Sequence, residues 1–456
     1  MSVLLGLDIG TTAVKVVGID RGQVCTQAER TYPMQSPEPG QQVQDPAGVL
    51  AAVDEVLATA GTDIARAGLT AAGLVVSTAM HALIGLAADG LPLTPIITWA
   101  DTRSHEQAQR LIQEGLAADL LARTGTPVHP LSPLTKVMWF NEQPEVPRVR
   151  WWVGLKDLVL AHLTGQIVTE ASTASATGMY NLRAGIWDEA ALALAGIDEA
   201  SLPPVRPTTA QLPLTMKIPG LPAGLPVVLG ATDGPLGNLG VGAVGPGQVG
   251  LSLGTSGAVR MVVAAPTAHP ALFCYNLTDQ AWVIGAAISN GGVVLDWLSG
   301  VCGISVPQLL QQAGQLPAGR SPVGMVPDLL AERPPAAPGE GAVLSGLRRS
   351  HGRAEIARAA VDGVAARLAA VVAALDQVQP VAQVRATGGA LRSRVWVDAL
   401  SHAMGRPVQP ISTAGGSALG AIALGALALG LVQDLAEAAD MVAADALGSQ
   451  AGRPPG

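Results

Sequence analysis

Short apolar segments alternate along the chain with longer segments in which apolar residues recur every three or four positions. The short runs, rich in β-branched residues, predict strands, and the periodic segments predict amphipathic helices. Strands are predicted at residues 3–7, 13–19, 72–76, 226–230, 248–253, 258–263, 282–286 and 381–387, and helices at 45–60, 105–122 and 353–376. Because strands alternate with helices, the predicted fold class is α/β.

Two pairs of predicted strands are joined by similar turns. Asp8-Ile9-Gly10-Thr11-Thr12 ends the first strand of one pair, and Gly254-Thr255-Ser256-Gly257 joins the strands of the other. Strand, tight turn and strand predict a β-hairpin rather than a strand followed by a helix. Since the turns lie about half a chain apart, they indicate an internal duplication into two domains, connected by the glycine-rich segment 241–247.

Composition narrows the class of protein. The 27 basic and 35 acidic residues give a net charge of −8 without a long basic block, so nucleic acid is not an expected partner. Cys25, Cys274 and Cys302 match neither a zinc pattern nor a disulfide framework, which favours the cytoplasm. The apolar run 418–432 is shorter than the ~20 residues that span a bilayer, so it predicts a buried helix and no membrane partner.

The two turns carry groups that suit phosphate. Backbone amides and hydroxyls around such turns bind phosphate oxygens, and a carboxylate such as Asp8 holds Mg²⁺ directly or through water. An ordinary hairpin explains one such turn, but two facing turns could hold one polyphosphate between the domains. The chain has neither a P-loop nor a dinucleotide-binding glycine motif.

Other candidate residues follow predicted strands. Asp233, after the strand at 226–230, is placed to accept a proton from a hydroxyl, although a turn aspartate bonded to its own backbone is the alternative. Gly388 and Gly389 have no side chains, so a flat aromatic base of a ligand can approach the backbone closely there. The alternative is that they only form the turn between a strand and a helix. Glu332-Arg333, in a proline-rich stretch, is predicted to be a solvent-exposed pair.

Polar and aromatic residues lie beside two further apolar segments. Trp99 can stack on a sugar, and His81, Asp101 and Arg103 can bond to hydroxyls or to an acid group. A single histidine or tryptophan is more often a packing residue, so each of these assignments has a structural alternative.

In their order and spacing these blocks resemble the FGGY family of carbohydrate kinases, from Leu5 to about Leu431. LDIGTTAVK and GLSLGTSGAVR resemble the two phosphate motifs, GATDG the block of the catalytic aspartate, and VRATGGALRSRVWVDALSHAMGRPV the adenosine-binding segment. The resemblance implies a two-domain actin/hexokinase/Hsp70-like (ribonuclease H-like) duplicated fold with an interdomain cleft. We therefore expect an N-terminal sugar-binding domain at 1–243, a C-terminal nucleotide-binding domain at 244–446 and a flexible tail at 447–456.

The same resemblance implies site residues. Asp233 is the expected catalytic base, and Mg²⁺ is expected at Asp8 and Asp233. Substrate binding is expected at Met80, His81, Trp99, Asp101, Arg103 and Asp233. Nucleotide and phosphate binding is expected at Gly10, Thr11, Thr12, Lys15, Gly254, Thr255, Ser256, Gly388 and Gly389.

Three further blocks resemble the gluconokinase branch of the family more than xylulokinases or glycerol kinases. They are STAMHALIGLAADGLPLTPIITWADTRS, TGTPVHPLSPLTKVMWF and TEASTASATGMYNLRAGIWD. This likeness implies ATP- and Mg²⁺-dependent phosphorylation of D-gluconate to 6-phosphogluconate. A sugar acid needs a cation for its carboxylate, and the sequence does not choose among the candidates His81, Arg103, Lys136 and Lys156.

Two alternatives stay open. One is a xylulokinase or another ketose or polyol kinase of the same family. The other is a catalytically weak sugar-binding regulator, because two sequence patterns depart from those of the family. Many relatives have Gly-Glu-Arg-Ala-Pro where this chain has Ala331-Glu332-Arg333-Pro334-Pro335. The late pattern at 415–421 lacks the glutamate with which the family pattern begins. The sequence also leaves open whether the chain forms a homodimer.

Overall fold

A computed structural model describes residues 2–143, 148–333, 341–411 and 416–448. The strands are β1 (Ser2–Ile9), β2 (Ala13–Asp20), β3 (Gln23–Thr31), β4 (Val43–Gln44), β5 (Thr70–Thr78), β6 (Ile84–Leu86), β7 (Ile96–Ile97), β8 (Trp151–Val153), β9 (Thr169–Glu170), β10 (Tyr180–Asn181), β11 (Ile186–Trp187), β12 (Val205–Arg206), β13 (Gln211–Pro213), β14 (Pro226–Val228), β15 (Gln248–Leu253), β16 (Gly257–Val263), β17 (Phe273–Thr278), β18 (Ala281–Ile288), β19 (Gly324–Val326), β20 (Val343–Ser345), β21 (Gln383–Thr387) and β22 (Val408–Pro410).

The helices lie between these strands and after the last of them. They are α1 (Pro46–Arg66), α2 (His105–Gln113), α3 (Ala117–Thr124), α4 (Pro133–Asn141), α5 (Leu155–Thr164), α6 (Ala171–Ser175), α7 (Glu189–Ala195), α8 (Asp233–Gly240), α9 (Val293–Cys302), α10 (Val306–Ala313), α11 (Arg353–Val378), α12 (Arg394–Met404), α13 (Gly416–Ala428) and α14 (Leu435–Gly448).

Two six-stranded sheets share the topology of five strands, while the edge strands β13 of the first sheet and β17 of the second have no counterpart in the other sheet. The first has the order β13-β14-β5-β1-β2-β3, and the second has the order β17-β18-β16-β15-β21-β22. In each, the first strand pairs antiparallel with the second and parallel with a later strand, β5 or β21. Matching β15 to β1, β16 to β2, β18 to β3, β21 to β5 and β22 to β14 gives one strand order. The predicted duplicated α/β fold is therefore confirmed.

All the predicted strands and helices form, with one predicted helix divided into two and several differences in length. The predicted helix at 105–122 is two helices, α2 and α3, because Gly115 between them adopts a positive φ of 77° that interrupts helical geometry. The apolar run 418–432 forms α13, which is buried from Ala418 to Ala426. Of the predicted tail, residues 447–448 belong to α14, and 449–456 lie outside the described residues, as do 334–340 and 412–415.

Helices α8 and α13 join the two sheets. Each follows the last parallel strand of its own sheet yet packs on the other one: α8 contacts β15, β16 and β17, while α13 contacts β1, β2 and β5. Their backbones touch, since a Cβ atom added to Gly420 would lie 1.9 Å from the Leu236 carbonyl oxygen, and one added to Gly240 would lie 1.9 Å from that of Gly416. Glycine is therefore required at both positions of the crossing.

Within the described part of the chain, no single helix has both the length and the hydropathy of a membrane span. The consecutive helices α9 and α10 reach those values only when they are taken together, and they meet at a bend of 97°.

Candidate active site

The two predicted phosphate turns are the hairpins between the first two strands of each sheet. In the first, the Gly10 amide donates to the Ala13 carbonyl at 2.9 Å. In the second, which joins β15 to β16, the Gly254 amide donates to the Ser256 carbonyl at 2.9 Å. Duplication of the fold thus gives each sheet one glycine–hydroxyl turn. Lys15, which lies across from Asp8 on β2, forms an ion pair with Glu29 at 3.3 Å.

Gly388 lies against the second turn. Its φ of 118° suits glycine, and a Cβ atom there would be 2.1 Å from the carbonyl oxygen of Leu253, the residue before Gly254. Space is open around Gly389. The structure therefore brings together two segments that the sequence assigns separately to phosphate and to nucleotide.

Asp8 and Asp233 are a pair of acids at strand and helix ends. Asp8 lies near the end of β1 and accepts a hydrogen bond of 2.7 Å from the Ser77 hydroxyl on the neighbouring strand β5. Burial, together with a smaller effect of the negative charge of Asp233, raises the pKa of Asp8 to about 6. Burial also raises the pKa of Asp233, the first residue of α8, while Arg260 lowers it. The two partly buried carboxylates are thus close enough for the charge of Asp233 to affect the pKa of Asp8.

A hydrogen-bond chain holds the start of α8. The Thr232 amide donates to the Ser172 hydroxyl at 3.2 Å, and the two side-chain hydroxyls are 2.9 Å apart. Ser172 belongs to α6, whose first turn is capped by Glu170: its carboxylate accepts from the Thr173 amide at 3.0 Å. The residue before Asp233 is therefore held by two hydrogen bonds to α6.

Asp233 lies in the wall of a cavity of about 310 Å³, and most of the other lining residues come from the C-terminal half of the chain. The polar side chains of its wall come from α8, β15, β16, β21 and α13 and belong to Asp233, Asn238, Ser252, Arg260, Thr387 and Ser417. The cavity thus extends from Asp233 to the end of β21 at Thr387, the residue before Gly388.

His81 and Lys136 form a buried polar group beside the cleft. His81 Nδ1 is 2.8 Å from the Ala176 carbonyl oxygen, so Nδ1 carries the proton of the neutral ring. Burial lowers the pKa of His81 to about 3. Lys136 donates to the carbonyls of His81 at 2.6 Å and Thr98 at 2.8 Å, and burial lowers its pKa to about 7.

Trp99, Asp101 and Arg103 lie on the segment after β7. The indole of Trp99 donates to the Thr11 hydroxyl at 3.0 Å, which connects the predicted sugar side with the first turn. Asp101 is buried and accepts from the Gln42 amide and from the Arg103 guanidinium, whose Nη2 is 2.8 Å away. Arg103 is therefore paired within the protein.

Lys156 and Glu170 form a fully buried ion pair, with Lys156 Nζ 3.0 Å from Glu170 Oε1. Asp157 lies next to Lys156 and accepts a hydrogen bond of 2.7 Å from the Gly154 amide at the start of α5. Burial raises the pKa of Asp157 to about 7. Lys156, Asp157 and Glu170 are thus three buried ionisable groups whose contacts lie at the starts of α5 and α6.

Asp157→Asn is expected to stabilise the protein increasingly as pH rises. The pKa of Asp157 is higher in the folded state than in the unfolded chain, so its contribution is fully present below about pH 3.8 and is lost as pH rises toward 7. Asparagine does not ionise and still accepts from Gly154. The stability difference should grow by at most about 1.4 kcal/mol per pH unit over that window, measured by urea unfolding. A difference independent of pH would contradict a titrating Asp157.

Sequence reasoning missed two arginines and misplaced a glutamate. Glu332 is buried, not solvent-exposed: it accepts from the Ser289 amide at 2.8 Å and from the Asn290 side chain at 2.6 Å. This contact holds Arg333 against the cleft, with its guanidinium carbon 4.3 Å from the centre of the Trp99 ring. Arg260 lies on β16 at the end of the second turn motif, and the period-two alternation of a strand could have indicated its orientation.

Sequence comparison agrees with this geometry. Residues 3–240 match the N-terminal domain, and residues 249–429 the C-terminal domain, of the FGGY family of carbohydrate kinases. The chain belongs to this family.

Individual relatives include more than one kind of kinase. The chain is 34% identical to the gluconokinase of Bacillus subtilis (strain 168), over 97% of this chain and 90% of that protein. It is 31% identical to the xylulose kinase of Escherichia coli (strain K12), over 91% of this chain and 88% of that one. The crystal structure of gluconate kinase from Lactobacillus acidophilus is similar with a TM-score of 0.92 at 30% identity, covering 96% of this chain and 92% of that one.

Proposed function

We propose that this carbohydrate kinase transfers the γ-phosphoryl group of ATP to the terminal hydroxyl of D-gluconate, giving 6-phosphogluconate and ADP. The observation that carries the reaction type is the partly buried Asp233, whose charge raises the pKa of Asp8 and which borders the cavity that also contains Ser252 of β15. Similarity to gluconokinase over nearly the whole chain supports gluconate as the acceptor.

Asp233 acts as the general base in this proposal. Its carboxylate accepts the proton of the attacking hydroxyl as the oxygen reaches phosphorus and the bond to the ADP oxygen breaks. Burial raises the pKa of Asp233 and so makes it a better proton acceptor than an exposed aspartate. The hydrogen bonds of Thr232 to Ser172 keep the helix start, and hence the base, in place.

The two turns bind the phosphates in this proposal. Phosphoryl transfer depends on positioning and on stabilising charge, which the backbone amides and hydroxyls of the turns at Thr11-Thr12 and Thr255-Ser256 supply. We assign the sugar to residues 1–243 and the nucleotide to residues 244–446, with Gly388 and Gly389 near the base of ATP. We place the reaction in the cytoplasm, where the three unpaired thiols would stay reduced.

Asp8 and Asp233 fit the Mg²⁺ that accompanies ATP. Mg²⁺ is commonly held by one or two carboxylates together with substrate phosphates, and a cation between these two acids would relieve the repulsion that raises the pKa of Asp8. No larger group of metal-binding side chains occurs in the described parts of the chain. When bound, Mg²⁺ would neutralise charge on the β- and γ-phosphates.

An ADP-release assay tests the proposal. With Mg-ATP, D-gluconate should give turnover well above that with D-xylulose, glycerol or no sugar, and EDTA should abolish it. Turnover on xylulose or glycerol without turnover on gluconate would select the ketose or polyol kinase that the 31% identity to xylulose kinase keeps as the second candidate. ATP binding without ADP release on any acceptor would support a sugar-binding regulator instead.

A further inference from the structure

The four cations that the sequence offers for a substrate carboxylate are committed elsewhere. His81 is neutral and donates from Nδ1 to a backbone carbonyl. Lys136 donates to two backbone carbonyls, and Arg103 is paired with Asp101. Lys156 is fully buried against Glu170. A sugar acid therefore needs a different cation.

Arg260 and Arg333 are not committed in this way. Among the described residues, neither guanidinium has a hydrogen-bond acceptor or an ion-pair partner within 4.0 Å, and Arg260 Nε is buried without any partner. Burying a cation without a hydrogen-bond acceptor costs free energy, and the charge of Asp233 offsets only part of this cost for Arg260, whose pKa is lowered by burial. Arg260 also lines the cavity that Asp233 borders, so its guanidinium is open to a ligand that enters this cavity.

Both arginines lie close enough to Asp233 for their charges to lower the pKa of its carboxyl group. Arg260 lines the same cavity as Asp233, and a side chain at Gly234 would have its Cβ 3.2 Å from Arg260 Nε and 3.2 Å from Met80 Sδ. The absence of a side chain at Gly234 thus leaves room for the guanidinium. Arg333 stacks on Trp99 across the cleft.

The two cations also affect one another. Burial lowers the pKa of Arg333, and the neighbouring charge that lowers it most is that of Arg260. The charge of Arg333 also lowers the pKa of both His81 and His129. An anion bound between two like charges would remove their repulsion, and guanidinium groups suit carboxylates because their N–H groups form paired hydrogen bonds.

We propose that Arg260 and Arg333 together bind the carboxylate of the sugar acid and so determine the preference for an acid over a neutral polyol. This inference rests on the proposed function and extends it, because it adds two residues of the C-terminal half to a sugar site that otherwise belongs to residues 1–243. Because Arg333 belongs to the C-terminal half and Trp99 to the N-terminal half, carboxylate binding at Arg333 would also connect the two sides of the cleft.

The test compares D-gluconate with D-glucitol, which has a hydroxymethyl group in place of the carboxylate. Arg260→Met and Arg333→Met should each lower kcat/KM for gluconate by about 10- to 100-fold, as expected for losing hydrogen bonds to a charged group. Because Arg260 also lowers the pKa of Asp233, which acts on both substrates, the measured quantity is the gluconate-to-glucitol ratio of kcat/KM, and this ratio should fall by about 10-fold or more in each variant. Where glucitol is turned over too slowly, its inhibition constant against gluconate replaces kcat/KM.

Arg385→Met is the matched control, because Arg385 is another arginine whose Nε is buried without a partner, with its guanidinium against Gly242. It should leave the gluconate-to-glucitol ratio unchanged. Thermal unfolding should show Arg260→Met to be as stable as the wild type, since an unpaired buried charge is removed.

The outcomes separate the two hypotheses. An unchanged ratio in either arginine variant, with gluconate-dependent turnover in the wild type, would overturn the paired carboxylate site alone. Equal losses on both substrates would do the same and would assign the arginines to the phosphoryl group. A wild type without gluconate turnover would overturn the proposed function and this inference with it.

Discussion

Replacing Asp233 with asparagine is expected to lower kcat by about 10²- to 10⁴-fold, the usual contribution of a general base. The substitution keeps the size of the side chain but removes its ability to accept a proton. KM for ATP should change far less than kcat, since the turns bind the phosphates. Steady-state kinetics with gluconate, together with ATP titration by calorimetry, measure both quantities.

Folding should not account for this loss. Burial raises the pKa of Asp233 above its unfolded value, so its ionised form destabilises the folded state at pH 8 and asparagine does not. The variant should therefore unfold at the same or a higher temperature. Asp45→Asn is the matched control: Asp45 caps the exposed start of α1, where asparagine caps equally well, and activity should persist. Near-normal turnover of Asp233→Asn would assign the base to another residue.

Glu170→Ala is expected to lower the free energy of unfolding by about 3–5 kcal/mol. It leaves Lys156 charged and fully buried without its partner, and it also removes the cap of α6. Because Ser172 of α6 holds Thr232, activity per folded molecule should fall as well. Urea unfolding followed by circular dichroism gives the stability, and kinetics on the folded fraction give the activity.

Two comparisons isolate the buried charge. The double variant Lys156→Met/Glu170→Gln removes both charges and keeps an acceptor for the amides of α6, so it should be more stable than Glu170→Ala. Glu29→Ala breaks the ion pair with Lys15, whose side chains are 44% and 46% exposed, and should cost no more than about 1 kcal/mol. A loss for Glu170→Ala as small as that for Glu29→Ala would contradict a structural role of the buried pair.

Local patterns were sufficient for the strands and turns. The apolar runs before Asp8 and before Gly254 are strands, and the turns after them connect the two strands of a hairpin. Two β-branched apolar runs joined by a short glycine-containing turn are the local signature of a hairpin. The helix at 105–122 was predicted too long, since apolar periodicity continues through Gly115 although the backbone does not. Hydrophobic periodicity shows which face of a helix is buried, but it does not show where the helix is interrupted.

The state of each charged side chain could not be predicted in the same way. In the sequence, Lys136 and Lys156 are distinguished only by the small number of lysines in the chain. In the fold both are buried, Lys136 bound to backbone carbonyls and Lys156 to a carboxylate. Glu332-Arg333 looked solvated because its neighbours are prolines, yet Asn290 and Ser289, some forty positions earlier, bury the glutamate. Partners so distant in sequence leave no local signal.

The sequence by itself therefore determined the family, the duplicated α/β architecture and the positions of the turns, because these depend on hydrophobic order and on glycine at fixed places. Only the tertiary structure decided which cations are free to meet a ligand. Whether a charged side chain can bind a ligand depends on the residues that pack around it. For Arg260 and Arg333 these residues come from both halves of the chain.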